Sequence, residues 1–559
     1  MNKSVRRNWR ANFKIFADRV WRRNGLSAFG LYILISVSLA GVPILAHPIA
    51  LHVGLGEDPS VMMWCMVWWP FAITHHLNPF VSKIIWAPTG SNLTWATSIP
   101  AIALALAPVT WIFGPIVSYN AGAVLAPAIS AWSAFALCRW LTANFAASII
   151  GGLLYGFSPY EVGHLLAGHL SFTANFVPPL CLLCFGRLLA RSMTSLRFVF
   201  IFSALLVIQC LISSEVFATM TGFGIVAWIT GYVLVAAERR VAIRSTFLPL
   251  SLAFVLAIAM LLPFFYFALG KEAVPRHTLF PPPLFSADLL EFVVPTPLLL
   301  LASHSVKAVT SRAFGNIQEN EFYLGLPILL LLGYFLWVRR HEPFVRILAV
   351  MLAVVLTAAV GPVLHIADHA VAQVPWAFLF DVPLLEQALP VRFANYGFLV
   401  VALIVSMSSA RPKRLTNLLI ACGIAALAPN PALLLWPERY QEPPFFSTSL
   451  YRSVLHQNEN IVVFPYGVRG ASMLWQAQSG MYFSMSGAWM GPTPDEFQRW
   501  PAVNAALAGL QLPDPGRQLR AFLAAHRVEA VVSADGPWSL ASALGIKPIE
   551  LGGVSIYEM

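Results

Sequence analysis

Charge is what this sequence has least of. Of its 559 residues only 11% are Asp, Glu, Lys or Arg, and 25 are acidic, while 58% are hydrophobic. A soluble chain needs more polar residues than that to cover its surface, so a wholly soluble protein is excluded and lipid is the natural solvent. Cysteine is scarce too. Most of the six lie inside apolar runs, and Cys181 and Cys184 form a CxxC with no second pair. That is not the spacing of a zinc or redox centre. No internal repeat is visible, and the apolar runs are nearly free of ionisable residues, which counts against an ion-coupled transporter or flippase. The net charge of +10 does not point to nucleic acid, because the basic residues sit in short loops beside apolar runs.

What is there is an alternation. The chain carries eleven long apolar runs, and Lys and Arg cluster on every second connection. This is the positive-inside pattern of a polytopic membrane protein. A basic leader (residues 1–24) is cytoplasmic, and span 1 (25–47) is too long for a signal-peptide core. The further spans are expected at 117–138, 144–158, 170–190, 198–213, 216–236, 247–269, 322–338, 347–364, 393–410 and 415–436. The predicted fold is therefore an all-α polytopic membrane domain of about eleven helices over 25–436. Large outer loops lie at 48–116 and 270–321. Within the first, 59–76 and 98–113 read as helices lying on the membrane surface, the alternative being a hairpin of true spans.

The tail, 437–559, has ordinary charge density. Ile461–Phe464 and Val528–Val532 read as strands. Pro515–His526 reads as a helix, with Asp514 at its N-cap and Pro515 at N1. This small α/β domain is placed outside the cytoplasm. It is either a stabilising cap or a cover over the outer face.

Candidate chemistry collects on the outer side. Glu57-Asp58 follows span 1 and can bind a divalent cation or act as a general base. Asp58 with Pro59 also reads as a helix start, the carboxylate capping. Glu161 and His164 share a helix face in the second outer loop, with His169 close behind. Arg392 stands just before span 10, where cations are scarce and a phosphate could be held. The long loop carries Arg276, Asp288, Glu319 and Glu321, and weaker cations at Lys271 and Lys307. Glu215 lies at the outer end of span 5. Trp64, Trp68, Trp69, Trp86 and Trp95 read as an interfacial belt, with stacking on a sugar or prenyl chain as the alternative.

The layout resembles the GT-C superfamily of integral-membrane glycosyltransferases. The resemblance is carried by Gly56-Glu57-Asp58-Pro59, Trp64, Trp68, Trp69, Asn78-Pro79 and Pro88-Thr89-Gly90-Ser91-Asn92-Leu93. It continues from Tyr119-Asn120 through Arg139 to Phe157-Ser158-Pro159. It implies inverting transfer of a sugar from a polyprenyl-phosphate donor to a glycan, lipid or protein acceptor of the cell envelope. The place is the outer face of a bacterial inner membrane, with the C-terminus periplasmic. It makes Asp58 catalytic, with Glu57 beside it. Arg392, Glu161, His164 and His169 become donor- or phosphate-binding, and Asp288, Glu321 and Arg276 become parts of a lid. The cofactor it allows is a divalent cation, Mg or Mn, at Asp58 and Glu161. The histidines depart from the family's acidic pattern. The alternatives are a transporter or flippase of a lipid-linked glycan and a scaffold that kept the fold without the activity.

Overall fold

The structure, a computed structural model, describes residues 24–270, 282–302, 319, 322–381, 387–411, 413–430, 439–440, 442–535 and 539–559. The basic leader lies outside them, as do Lys271, Arg276, Lys307 and Glu321.

Every predicted span coincides with helix. In chain order the helices are α1 (Asn24–Ala46), α2 (Asp58–Thr74), α3 (Ala107–Thr142), α4 (Phe145–Gly156), α5 (Pro159–Leu166) and α6 (Val177–Leu189). Then come α7 (Ser195–Ile212), α8 (Ser214–Leu234), α9 (Ala237–Met260), α10 (Leu326–Val338), α11 (Pro343–Ala359), α12 (Ala394–Ser409) and α13 (Arg414–Ala426). Among the described residues, seven helical stretches are long and apolar enough to cross a membrane. Helices α4, α10, α11 and α13 have 10–17 residues, short of the roughly twenty that a bilayer asks of one helix. The architecture is thus a multi-pass membrane protein with seven membrane-capable helices, where the sequence led to eleven.

Helix α12 is central and buried almost all round. It packs against α3 and α4, whose small residues let the backbones approach closely. A Cβ on Gly156 would collide with the backbone of Ala131.

The first outer loop departs from expectation. Helix α2 is covered by protein, with twelve of its seventeen residues buried. An all-round apolar helix is a core helix, and here both sides are covered. The 98–113 stretch is a short helix, Pro100–Ala105, running into α3, which is kinked at Gly114 (φ 85°, ψ 173°). The tryptophans follow. Trp64, Trp68, Trp69 and Trp86 are buried, not an interfacial belt. Trp68 Nε1 donates to Pro79 O (2.9 Å) and Trp69 Nε1 to Ser98 O (2.8 Å). Trp95 Nε1 reaches Ala268 O (2.8 Å).

Two antiparallel pairs stand in outer loops, β1 (Val81–Ser82) with β2 (Ser91–Asn92), and β3 (Val363–Ile366) with β4 (His369–Gln373). The tail is built on a five-stranded sheet of β5 (Asn460–Phe464), β6 (Ser484–Met485), β7 (Ala530–Ser533), β8 (Ile549–Leu551) and β9 (Val554–Glu558). Its order is β6-β5-β7-β9-β8. Strand β5 runs parallel to β6 and β7, while β9 is antiparallel to β7 and β8. The strand expected at 528–532 begins two residues later. Helix α14 (Ser472–Gln478) follows β5, and α15 (Pro515–Ala525) starts as read, with Asp514 accepting from Arg517 N.

The tail and the first outer loop share one hydrophobic core. Ile84–Ala87 extends the sheet beyond β6. Met485 N donates to Ile84 O and Ala87 N to Met485 O, both at 2.9 Å. Gln476 locks the junction. Its Oε1 accepts from Trp64 Nε1 (2.7 Å), and its Nε2 donates to Ile84 O and Phe483 O (both 2.8 Å). Gln476→Ala takes the partner from buried Trp64 Nε1 and from Phe483 O, each costing about 1–3 kcal/mol, while Ile84 O keeps Met485 N. We expect a lower thermal midpoint in detergent and easier proteolytic release of the tail. An unchanged midpoint would show that the junction does not depend on this side chain.

Candidate functional site

Asp58 opens α2 without capping it. Glu57 stands at the cap position, and no side chain caps the helix start. Instead Tyr440 Oη, from the tail, accepts from Ser60 N (3.1 Å) and donates to Gly56 O (2.9 Å). The Asp58 carboxylate is therefore released from capping. Its Oδ2 lies 2.9 Å from His169 Nε2, and its Oδ1 lies 3.1 Å from Trp489 Nε1. The side chain remains 40% exposed. Burial pushes its carboxyl up, but the hydrogen bond and charge of His169, then the Trp489 N–H, outweigh it. The carboxyl therefore lies below the ordinary carboxylate range.

His169 arrives through the second outer loop. Ser158 caps α5, its Oγ accepting from Glu161 N (3.3 Å), and Pro159 occupies the first turn. Leu55 N donates to Leu166 O (2.7 Å), joining the two outer loops. Gly168 then turns the chain at φ +76°, with its backbone against Pro59. A Cβ there would stand 2.5 Å from Pro59 Cγ. Only glycine permits both the turn and the approach that puts His169 beside Asp58.

Behind His169 the cluster continues. His164 Nδ1 and His169 Nδ1 are 2.9 Å apart. His164 is buried, and burial holds its imidazole well below the ordinary histidine value, hence neutral. The proton assignment that satisfies these atoms has His164 Nδ1–H donating to His169 Nδ1 and His169 Nε2–H donating to Asp58. Glu319 Oε1 lies 3.8 Å from His169 Nδ1. Arg392 grips Glu319 in a bidentate pair, Nε to Oε2 at 3.1 Å and Nη2 to Oε1 at 2.6 Å. Its Nη1 donates to Glu215 Oε2 (2.7 Å). The Phe172 ring underlies the guanidinium at 4.2 Å. Burial raises the Glu319 carboxyl, but Arg392 brings it down to about 2, so it is ionised. Three carboxyl groups, Asp58, Glu319 and Glu215, thus stand around the one guanidinium of this cluster.

Other sequence candidates stand elsewhere. Glu161 is fully buried beneath α5, its Oε1 accepting from Asn175 Nδ2 (2.9 Å). Asn175 Oδ1 in turn accepts from Asn395 Nδ2 (3.2 Å). Burial raises the Glu161 carboxyl well above its ordinary value, which favours its protonated form. Among the described residues, the one group with metal-holding spacing is His164, His169 and Glu319, whose ligand atoms lie within 4.8 Å of one another. Two imidazoles and a carboxylate suit manganese or zinc better than magnesium, which prefers oxygen donors. Asp288 ties two outer loops together, accepting from Leu290 N (2.8 Å) and Asp368 N (2.9 Å). Glu291 Oε1 accepts from Phe322 N (2.6 Å), fixing the chain just after Glu319. Trp489, Tyr440, Gly168 and Asn175 were not singled out from the sequence. Trp489 lies 431 residues from Asp58, and no local pattern joins them.

A family model described as "Domain of unknown function (DUF6311)" matches residues 29–427. No curated protein matches the chain. Among solved structures, the arabinofuranosyltransferase AftD from Mycobacteria is similar at 14% identity and a TM-score of 0.57. The likeness covers 96% of this chain and 40% of AftD. The oligosaccharyltransferase AglB from Archaeoglobus fulgidus, in complex with an inhibitory peptide and a dolichol-phosphate, is similar at 14% identity and a TM-score of 0.47. That likeness covers 91% of this chain and 69% of AglB. Both are GT-C superfamily members. At this identity the AftD likeness is one of fold, and it bears out the GT-C architecture read from the sequence. The chain spans two fifths of AftD's length.

Two substitutions probe the geometry. Gly168→Ala should push His169 from Asp58 and lower any Asp58-dependent activity at least tenfold while the protein still expresses; full activity would show that the approach is not needed. Glu161→Gln removes a buried acid whose folded-state pKa is raised. Such a group loses stability as pH rises above its unfolded value near 4.3. The variant should melt higher than the parent by on the order of 2–4 °C at pH 8, with a smaller gain at pH 5. A uniform loss at both pH values would contradict a neutral Glu161.

Proposed function

We propose, from the premise that this chain belongs to the DUF6311 family and carries the GT-C fold, that it is an inverting glycosyltransferase using a polyprenyl-phosphate sugar. The acceptor would be a cell-envelope glycan, lipid or protein, reached at the outer face of the inner membrane. The observation that carries the reading is a half-exposed carboxylate, Asp58, joined through His169 to a cluster containing Arg392.

The chemistry follows from the groups. Asp58 accepts two hydrogen bonds, and a carboxylate has about four lone-pair sites, so room remains for an acceptor hydroxyl. Asp58 takes that proton as the hydroxyl oxygen attacks the anomeric carbon and the prenyl phosphate leaves. A retaining route needs a second carboxylate as nucleophile. Glu319 and Glu215 are both engaged by Arg392, which favours a single displacement. Arg392 has five N–H donors and uses three on these carboxylates, leaving two for the departing phosphate. Because three carboxyl groups stand around one guanidinium, an anionic donor benefits from further positive charge. The His164, His169 and Glu319 side chains fit a divalent ion, which would supply that charge when bound. The mixed charge of the region, outside the apolar helices, suits a reaction at a membrane surface.

The test is transfer from a panel of short-chain prenyl-phosphate sugars to an envelope extract, using purified protein. We expect Asp58→Asn to lower transfer by about 10²–10⁴ without loss of protein, and Arg392→Lys to lower it because the bidentate fork is lost. Transfer that survives Asp58→Asn would sink the reading and favour a scaffold.

A further inference from the structure

We propose that the C-terminal domain completes the candidate site, with Trp489 as the positioning residue that holds the Asp58 carboxylate in its working orientation. The inference rests on the reading of Asp58 as the base.

Asp58 has two oxygens and two donors, one on each. His169 belongs to the membrane domain, Trp489 to the tail. A carboxylate held by one donor still rotates about its Cβ–Cγ bond, whereas a donor on each oxygen fixes the plane and the direction of the remaining lone pairs. That direction decides where an acceptor hydroxyl must lie.

The placement of Trp489 is itself rigid. It follows β6, whose edge is extended by Ile84–Ala87 of the first outer loop. Ser486 Oγ donates to Ala87 O (2.7 Å), and Tyr466 Oη donates to Ser486 O (2.9 Å). Just beyond the tryptophan, Gly491 turns at φ +62° against Ala96, where a Cβ would stand 3.1 Å from the Ala96 Cβ. The indole is thus fixed on both sides by the first outer loop, the same loop that opens into α2 and Asp58. Tyr440 makes a parallel link, satisfying the start of α2 in place of a cap and so leaving the Asp58 carboxylate for catalysis. His52, stacked on Tyr440 at 4.2 Å, pins that ring. The tail therefore does two things at one residue. It relieves Asp58 of the capping task and supplies the donor that fixes its second oxygen. A mere stabilising cap has no need of a donor on a half-exposed carboxylate.

The experiment uses the full chain and no sugar donor. Dicyclohexylcarbodiimide attacks carboxyl groups in their protonated form, and a carboxylate stripped of an N–H donor protonates more readily. Labelling of Asp58 is read by mass spectrometry at one pH near neutrality, with Asp58→Asn as the blank. Trp489→Phe keeps the ring and removes the N–H. It should speed Asp58 labelling about 10–100-fold, the scale expected for one hydrogen bond to a charged group. Trp489→Gln, which restores an N–H donor, should bring the rate back towards the parent. Equal labelling in parent and Trp489→Phe overturns the proposal. So does faster labelling in Trp489→Gln and Trp489→Phe alike, since lost packing rather than a lost donor would then be the cause. The sugar-transfer assay fails or succeeds separately: dead Asp58→Asn with unaltered labelling in Trp489→Phe removes this inference and keeps the glycosyltransferase reading.

Discussion

Everything at the candidate site depends on how one carboxylate is satisfied. Asp58 begins a helix, and a carboxylate there would ordinarily bond to the helix's own N–H groups. In this chain Tyr440 accepts from Ser60 N, and Asp58 is met from opposite sides by His169 and Trp489. The consequence spreads outward. Gly168 must lack a side chain so that His169 can approach. Glu319 must be delivered to Arg392, and Glu291 holds the chain that follows it. The tail must dock through Gln476 and the Ile84–Ala87 edge.

The electrostatics of the cluster follow from burial. A cation as well buried as Arg392 needs partners, and it has a bidentate one in Glu319 and a second in Glu215. Asp58, joined through His169, adds a third carboxyl group to the same cluster. Glu161 has a different part. It is buried, its carboxyl pushed up by that burial, and it bridges to Asn175 and through it to Asn395 of α12. Its place is in the seam between the outer loops and the helical core.

Much of this was legible in the sequence. The alternation of basic loops located every helix run, because insertion physics leaves that trace in short loops. Arg392 was singled out by the scarcity of cations on its side, Asp58 by the acidic pair after span 1 and His164 and His169 by their place beside Glu161, and the structure brings these four into one chain of contacts through Glu319. Helix lengths were less legible, since a hydrophobic run does not say where a helix frays: 322–338 became Leu326–Val338 and 347–364 became Pro343–Ala359. The tryptophans misled because an interfacial belt and a buried junction use the same residue type. What decides between them is whether something covers Trp64 and Trp86, and the cover comes from about four hundred residues further on. Trp489 was hidden for the same reason.

The most direct test of the central claim is a structure of the protein with a short prenyl phosphate bound, such as farnesyl phosphate. The account predicts the phosphate at Arg392, with the Asp58 carboxylate opening onto the same cavity and the prenyl chain running towards the apolar helices. A phosphate seated elsewhere, with Asp58 facing only water, would contradict it.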